Sequence, residues 1–310
     1  MMQQIYPSYY PHFHCIAGDC RHSCCVGWEI DVDAGTLKKY RSVGGELGER
    51  LKRSITRGKT PHFVLTDGER CPFLNEDNLC ELIVNGGEEL LCQICADHPR
   101  FRSFFTGRTE IGLGLCCEEA ARLILSQREK VTFISLGEAE VLDREEAALL
   151  ALRDELFALA QDRSIPIAAR EDTILRRVGA ALPERSAREW AAFYLSLERM
   201  DEDWTALLQD LDDADLTVFE SDMRARETEY EQLLCYFLYR HLPAALDDGD
   251  ASGKAAFAVL STRFLRQLGA WQYQKTGRFT QSNQIELVRL YSAEIEYSQE
   301  NLDALYDELC

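Results

Sequence analysis

The sequence predicts a mainly α protein, with a small irregular cysteine-rich α+β module at the N-terminus packed on a C-terminal α-helical bundle. Three observations lead there. Ten of the twelve cysteines lie between Cys15 and Cys117. The same stretch holds most of the turn-type sequence and only short periodic segments. From about Glu118 the pattern changes to long segments of helical period, broken at Pro166, Pro183, Pro243 and Gly277. The expected domains are therefore residues 1–125 and 126–310.

The first part reads as short elements between turns such as Val43-Gly44-Gly45, Thr66-Asp67-Gly68 and Asn85-Gly86-Gly87. Asp33 to Val43 is an expected helix with Asp33 as its cap, and Leu47 to Thr56 another. His62 to Leu65 and Arg108 to Leu115 run apolar or alternate over strand lengths. Glu119 to Gln127 opens the helical part. Asp143 to Gln161 follows, with Ala147, Leu150, Leu156 and Leu159 near a 3.6-residue period. Then come Ile167 to Leu182, Ser186 to Met200 with Ser186 as N-cap, and Glu202 to Leu211. Glu227 to His241, Ala255 to Lys275 and Gln281 to about Glu308 complete the bundle. Aromatics such as Trp190, Tyr194, Tyr236, Phe237 and Trp271 on these helices read first as core filling.

Composition narrows the function classes. A hydrophobic share of 46% and a charged share of 28% are those of a globular protein. No run of about 18 apolar residues suggests a membrane span. Met1 to Tyr10 lacks the basic and apolar regions of a secretory signal, so a cytoplasmic location is expected. Residues 1–125 carry a net charge of −3 and the remainder −16. A body this acidic repels phosphate backbones and anionic lipid, so nucleic-acid and membrane partners are not expected. It suits a basic partner or lysine side chains.

In a reducing compartment, clustered cysteines point to metal or redox chemistry. They fall into four groups: Cys15, Cys20, Cys24 and Cys25; Cys71 and Cys80; Cys92 and Cys95; Cys116 and Cys117. Were Cys20 and Cys24 in one helical turn, their side chains would share a face. Asn75 to Asn78 looks like a tight turn that brings Cys71 and Cys80 together. Thiolates are soft donors that favour zinc or iron–sulfur clusters, and either centre uses only four ligands. The surplus therefore means a second site or other duties. Spacing alone prefers iron and sulfur, with zinc as the alternative metal. Neither a ferredoxin run nor paired zinc-finger histidines is present. His12, His14, His22 and His98 lie beside these groups and read first as surface or supporting residues. Cys235, within an aromatic helix, and Cys310 read as ordinary small hydrophobes.

These residues, taken together, resemble the flagellin lysine-N-methylase family. The resemblance is carried by Tyr9-Tyr10, Phe13, Cys15-x4-Cys20-x3-Cys24-Cys25-x-Gly27-Trp28 and by Arg70-Cys71-Pro72-Phe73-Leu74-Asn75 closing at Leu79-Cys80. It continues through Cys95, His98-Pro99-Arg100 and Cys117-Glu118-Glu119-Ala120. Near the C-terminus it is carried by Tyr230-Glu231, Tyr236-Phe237-x-Tyr239-Arg240 and Tyr291-Ser292-x-Glu294-Ile295-Glu296-Tyr297-Ser298-x-Glu300-Asn301-Leu302. His98 stands where the family pattern has Tyr, and Cys116 is an extra thiol beside the family position at Cys117.

The resemblance implies methyl transfer from S-adenosylmethionine to the ε-amine of surface lysines on flagellin, aided by a [4Fe–4S] cluster. It puts Cys15, Cys20, Cys24, Cys25, Cys71, Cys80, Cys92, Cys95 and Cys117 forward as metal ligands. No glycine-rich dinucleotide fingerprint follows a strand, so a doubly wound methyltransferase fold is not expected. No tight C-x3-C-x2-C run is present either. An S-adenosylmethionine pocket would then draw on both the cysteine module and the helical body, at residues the sequence does not name. Methylation needs a neutral lysine, so a site must desolvate the amine or supply a base. Glu294, Glu296, Tyr297 and Glu300 are the candidate acids and bases, with Glu296 and Glu300 expected on one helix face at i, i+4. The alternative function is a non-enzymatic cysteine-cluster protein that stores metal, carries electrons or scaffolds a partner.

Overall fold

The computed structural model describes residues 3–138 and 141–309. The chain is mainly helical, 58% helix and 10% strand, and divides into two compact units. One comprises residues 14–100 with 117–119; the other holds residues up to 13, 101–116 and everything from 120 onward. The ends of the expected 1–125 module thus pack with the helices.

The first unit is held by short elements, as its turn-rich sequence demands. Helix α1 (Ala34–Tyr40) starts at Asp33, whose Oδ1 accepts the Thr36 N–H at 2.9 Å. Helices α2 (Gly45–Arg53), α3 (Glu81–Gly86) and α4 (Gln93–Asp97) follow. Extended pieces meet only as isolated bridges, among them Asp31 with His62, Ile55 with Phe63 and Leu74 with Cys80. The strand expected over His62–Leu65 is thus two single bridges, because its partners run alongside for one residue each. Ile30, Val32, Tyr40, Leu51, Phe63, Phe73 and Leu82 form a small core, and buried Cys71 and Cys92 belong to it.

The second unit contains a four-stranded sheet, β1 (Gln3–Pro7), β2 (Arg100–Phe104), β3 (Arg108–Leu113) and β4 (Phe133–Leu136), in the order β2-β3-β1-β4. Strand β1 runs parallel to β3, with Ile5 opposite Glu110, and antiparallel to β4, with Tyr6 opposite Ile134. Only β3 was expected as a strand. Strands β1 and β4 depend on partners far away in sequence, which no local pattern announces, and β2 is a short edge strand beside β3.

The helices of this unit are α5 (Glu118–Leu125), α6 (Arg144–Ala160), α7 (Ile167–Val178), α8 (Ala187–Ser196), α9 (Glu202–Asp210) and α10 (Leu216–Met223). They continue with α11 (Glu227–His241), α12 (Ala245–Asp248), α13 (Ala251–Thr276), α14 (Gln281–Tyr291) and α15 (Gln299–Glu308). Capping boxes at Asp143 and Ser186 start α6 and α8. Gly179 and Gly277, both at positive φ, end α7 and α13. Helices α11 and α13 pack on each other at the centre and are buried on nearly every face. Their buried charges are paired: Glu231 with Arg163 and Arg170, and Glu171 with Arg263 and Arg266.

The single helix expected from Gln281 to about Glu308 is not continuous. A π-helical turn over Ser292–Glu296 interrupts it, and Ser298 caps a new helix by accepting the Asn301 N–H. This break separates Glu296 from Glu300: the first is buried and the second, in the first turn of α15, is exposed. They do not share the face expected of them.

Candidate metal centre

Five of the nine expected ligands gather in the core of the first unit. Cys71 and Cys92 are fully part of it, and Cys25, Cys80 and Cys95 pack against it. The tight turn at Asn75–Asn78 forms as expected: the Asn75 N–H donates to Leu79 O at 3.0 Å and the Asn78 N–H to Asn75 O at 3.1 Å. Asn75 Oδ1 also accepts the Asp77 and Leu79 amides, and Asn78 takes a φ of +56°, which Asn tolerates. The Leu74–Cys80 bridge then closes the hairpin-like loop between Cys71 and Cys80. The Cys71 N–H donates to Cys25 O at 2.8 Å, so the first cysteine group is tied to the second. Cys92 is the N-cap of α4 and Cys95 lies in its first turn, which brings their Sγ atoms to 3.2 Å. Asp33 joins α1 to α4, because Oδ2 accepts the Gln93 N–H at 3.0 Å. These bonds hold Asp33 down to a pKa of about 2, the Thr36 hydroxyl being the largest cause.

Burial pushes the Cys71 thiol up to about 12, with the neighbouring Cys25, Cys80 and Cys92 adding to it. Cys80 rises for the same reason. In the Cys92–Cys95 pair one thiol holds the proton: the hydrogen bond between the two sulfurs raises Cys95 and lowers Cys92. Cys25 is lowered to about 7 by the hydrogen bond with Cys24, aided by Ser23 and Arg70. The phenol of Tyr40, donating to Leu90 O at 2.7 Å, has Cys71, Cys80, Cys92 and Cys95 as neighbours. Crowded thiols in an apolar core repel as anions, and a cation in their midst reverses that cost.

The remaining expected ligands lie outside this core. Cys15 and Cys24 are exposed, and Cys20 and Cys117 are half-buried. Cys20 is extended, following a single 3-10 turn at Ala17–Asp19, so no helical turn joins it to Cys24. Gly18, inside that turn, lies close against the Asp77 carbonyl and Leu79. Of the flanking histidines, His98 packs its ring 6.3 Å from that of Trp28, and burial lowers its pKa to about 4. Cys235 is buried, as expected of a small hydrophobe, and Cys310 lies outside the described residues.

One group of metal-ligand type was not visible in the sequence. Glu29, Asp31 and His62 place ligand atoms within 4.8 Å of one another, because the Asp31–His62 bridge joins two distant segments. Both carboxylates are exposed.

The expected catalytic residues lie in the second unit, around the π-helical turn. Glu296 is buried and accepts from Tyr236 Oη at 3.0 Å and His241 Nε2 at 2.7 Å, with Arg240 Nε at 3.2 Å. A carboxylate only accepts, so His241 carries its proton on Nε2, and Nδ1 accepts the Tyr306 hydroxyl at 3.1 Å. Burial keeps His241 neutral, lowering its pKa against the pull of Glu296. Glu296 is itself held below its ordinary pKa: burial opposes ionisation, but Arg240 and His241 outweigh it. Tyr236 also accepts the Leu115 N–H and an Arg240 N–H. Arg240 lies 4.8 Å over the ring of Tyr297, which is 48% exposed and whose hydroxyl bonds to Cys116. Glu294, also buried, accepts the amides of Met200 and Asp201.

A thiol-laden small core and a separate, mainly helical unit define a cysteine-rich helical protein. Comparison with known proteins makes that class particular. Residues 172–309 match the model of the FliB lysine N-methylase C-terminal domain. The "Lysine-N-methylase" of Salmonella choleraesuis is 30% identical over 128 residues, covering 39% of this chain and 32% of that protein. That of Salmonella typhimurium is 29% identical over the same shares. The "Flagellar biosynthetic protein FliU" of Salmonella muenchen is 28% identical over 146 residues, 44% of this chain and 84% of that protein. Residues 172–309 are therefore similar to the C-terminal domain of FliB lysine N-methylases. The chain matches about a third of the length of the two methylases. The matched family domain contains the aromatic helix and the π-helical turn, and lies beyond the cysteine module. No solved structure matches the chain.

Proposed function

We propose that this chain transfers a methyl group from S-adenosylmethionine to the ε-amines of flagellin surface lysines, with a [4Fe–4S] cluster held by thiolates of the first unit. The observation that carries the reading is the gathering of five cysteines in one small core of a chain whose residues 172–309 match the lysine N-methylase C-terminal domain. The donor set fits such a cluster: it is soft and crowded, and it supplies at least the four thiolates required. Four of Cys25, Cys71, Cys80, Cys92 and Cys95 would hold it. Bound there, the cluster supplies an electrostatic and anchoring element for S-adenosylmethionine.

The chain's own residues have the rest to do. A lysine ammonium must first lose a proton. The amine nitrogen then bonds to the methyl carbon, and the sulfonium sulfur takes the electron pair of the broken S–C bond. Glu296 is too buried to meet an incoming lysine. Its part is to position Arg240, and through Arg240 the ring of Tyr297. Tyr297 and Glu300 are the members of the expected set that a substrate side chain reaches, and Glu300 is the proton acceptor of this proposal. The net charge of −16 beyond residue 125 favours lysine-rich surfaces. No helix among the described residues is long and apolar enough to cross a membrane.

Anaerobic purification with iron and sulfide analysis, followed by transfer of labelled methyl from S-adenosylmethionine to flagellin, tests the reading. Iron and sulfide in equal amounts, with label on flagellin lysines, are expected. A colourless, zinc-loaded protein would refute the cluster, and a loaded cluster with no S-adenosylmethionine binding would point to the metal carrier instead.

A further inference from the structure

The first unit carries a group of ligand-type side chains that contains no cysteine. Along Glu29–Val32 exposure alternates: Glu29 and Asp31 are exposed, whereas Ile30 and Val32 are buried in the small core. That alternation marks extended backbone, whose successive side chains point to opposite faces. The core takes Ile30 and Val32, so both carboxylates are left on the solvent face.

Across from them, Asp31 and His62 form an antiparallel bridge. Its flanking bonds run from the Val32 N–H to Pro61 O at 2.8 Å and from the Phe63 N–H to Ile30 O at 3.0 Å. Asp31 and His62 are thus a non-hydrogen-bonded pair, the position where facing Cα atoms approach to about 4.5 Å and side chains come closest. The outer edge of His62 is held as well: its N–H donates to Thr56 Oγ1 at 3.0 Å, and its carbonyl accepts the Thr56 N–H at 2.9 Å. Phe63 is buried in the core, so the same alternation keeps the imidazole on the face that carries Glu29 and Asp31.

The resulting geometry is near that of a chelate. The three ligand atoms lie within 4.8 Å of one another, and His62 Nδ1 is 3.1 Å from Glu29 Oε1. Metal bonds of about 2.0–2.2 Å to nitrogen and oxygen, meeting at a right angle, put the two ligand atoms about 3 Å apart. The imidazole and the Glu29 carboxylate already have that spacing, and rotation of an exposed carboxylate closes the rest. Nδ1 also meets the Thr60 carbonyl at 3.2 Å, which steadies the ring. Two carboxylates this close repel, and a divalent cation offsets both charges. One imidazole nitrogen with carboxylate oxygens suits a first-row divalent cation rather than the soft ions that thiolates select.

We infer that Glu29, Asp31 and His62 bind a first-row divalent cation, with water completing its coordination, and that the cation staples the Glu29–Val32 segment to the Pro61–Phe63 segment. This site stands whether or not the thiolates hold a cluster.

Manganese is the probe, because thiolates take it poorly and its free ion is counted by electron paramagnetic resonance. Mn²⁺ is titrated into the full chain as purified, with any metal on the thiolates left in place. The wild type should bind one equivalent, which Glu29→Gln/Asp31→Asn loses and His62→Gln weakens by more than about tenfold. Mn²⁺ should also raise the melting temperature of the wild type and not of the double variant. Glu202→Gln/Asp203→Asn, at exposed positions of α9, removes the same charge elsewhere and should leave the binding unchanged. No binding by the wild type, equal binding in wild type and Glu29→Gln/Asp31→Asn, or an equal loss in the α9 control overturns the site and leaves an ordinary surface ion pair between Glu29 and His62. Iron and sulfide content, measured on the same samples, reports separately on the thiolate reading.

Discussion

Glu296→Gln is the perturbation that most directly tests the buried network at the π-helical turn. The carboxylate accepts from His241 and Tyr236 and neutralises Arg240, whose side chain is only 12% exposed. The amide keeps the shape and one acceptor oxygen, so the hydrogen bond from His241 can persist. What disappears is the negative charge opposite the Arg240 guanidinium. Breaking a buried pair from one side costs about 3–5 kcal/mol. At roughly 2–4 °C per kcal/mol for a unit of this size, the melting temperature should fall by about 6–20 °C. Calorimetry or circular-dichroism melts of the isolated variant measure this. Tyr306→Phe is the control, since it removes only the hydroxyl that His241 Nδ1 accepts and should cost about 1 kcal/mol. A Glu296→Gln melt within about 2 °C of wild type would refute the claim that Glu296 is ionised and paired.

The pH dependence of folding should follow from the same groups. His98, with a folded pKa of about 4 against an ordinary 6.5, favours the neutral form in the fold, so stability is full above 6.5 and is lost as pH falls toward 4. His98→Gln should flatten that part of a stability–pH curve for the metal-free chain. Glu296, also lowered, adds stability that is present above its unfolded value and lost at more acid pH, and Glu296→Gln should remove that limb. Asp33→Ala removes the cap of α1 and the link to the Gln93 amide, and should cost about 1–2 kcal/mol by urea unfolding. Gly112→Ala would place a Cβ 2.1 Å from the Phe101 ring, which lies under Arg240. It should destabilise by about 1–3 kcal/mol in the same assay, and a neutral result would mean the ring moves freely.

Much of the helical unit was legible because helices are specified by neighbours in sequence. The helix over Glu227–His241 has the expected ends, and the caps at Asp33 and Ser186 act as their residue types suggest. The Asn75–Asn78 turn between Cys71 and Cys80 was likewise legible. Misreadings arose where local pattern and chain geometry part. Cys20 and Cys24 have helical spacing, but Cys20 is extended after a single 3-10 turn. Glu296 and Glu300 have it too, but a π-helical turn and the Ser298 cap lie between them.

By itself the sequence determined the mainly helical class, the helix boundaries set by caps and glycines, the placing of ten of the twelve cysteines within the first 117 residues, and the family resemblance. Only the tertiary structure decided which strands pair, which thiols share a core, and how far Glu296 is buried. It also decided the Glu29–Asp31–His62 grouping. A helix closes its hydrogen bonds within four residues, so its pattern is written locally. A sheet of order β2-β3-β1-β4 joins residues a hundred positions apart. Likewise, a core that gathers Cys25 with Cys92 is set by packing that no short stretch records.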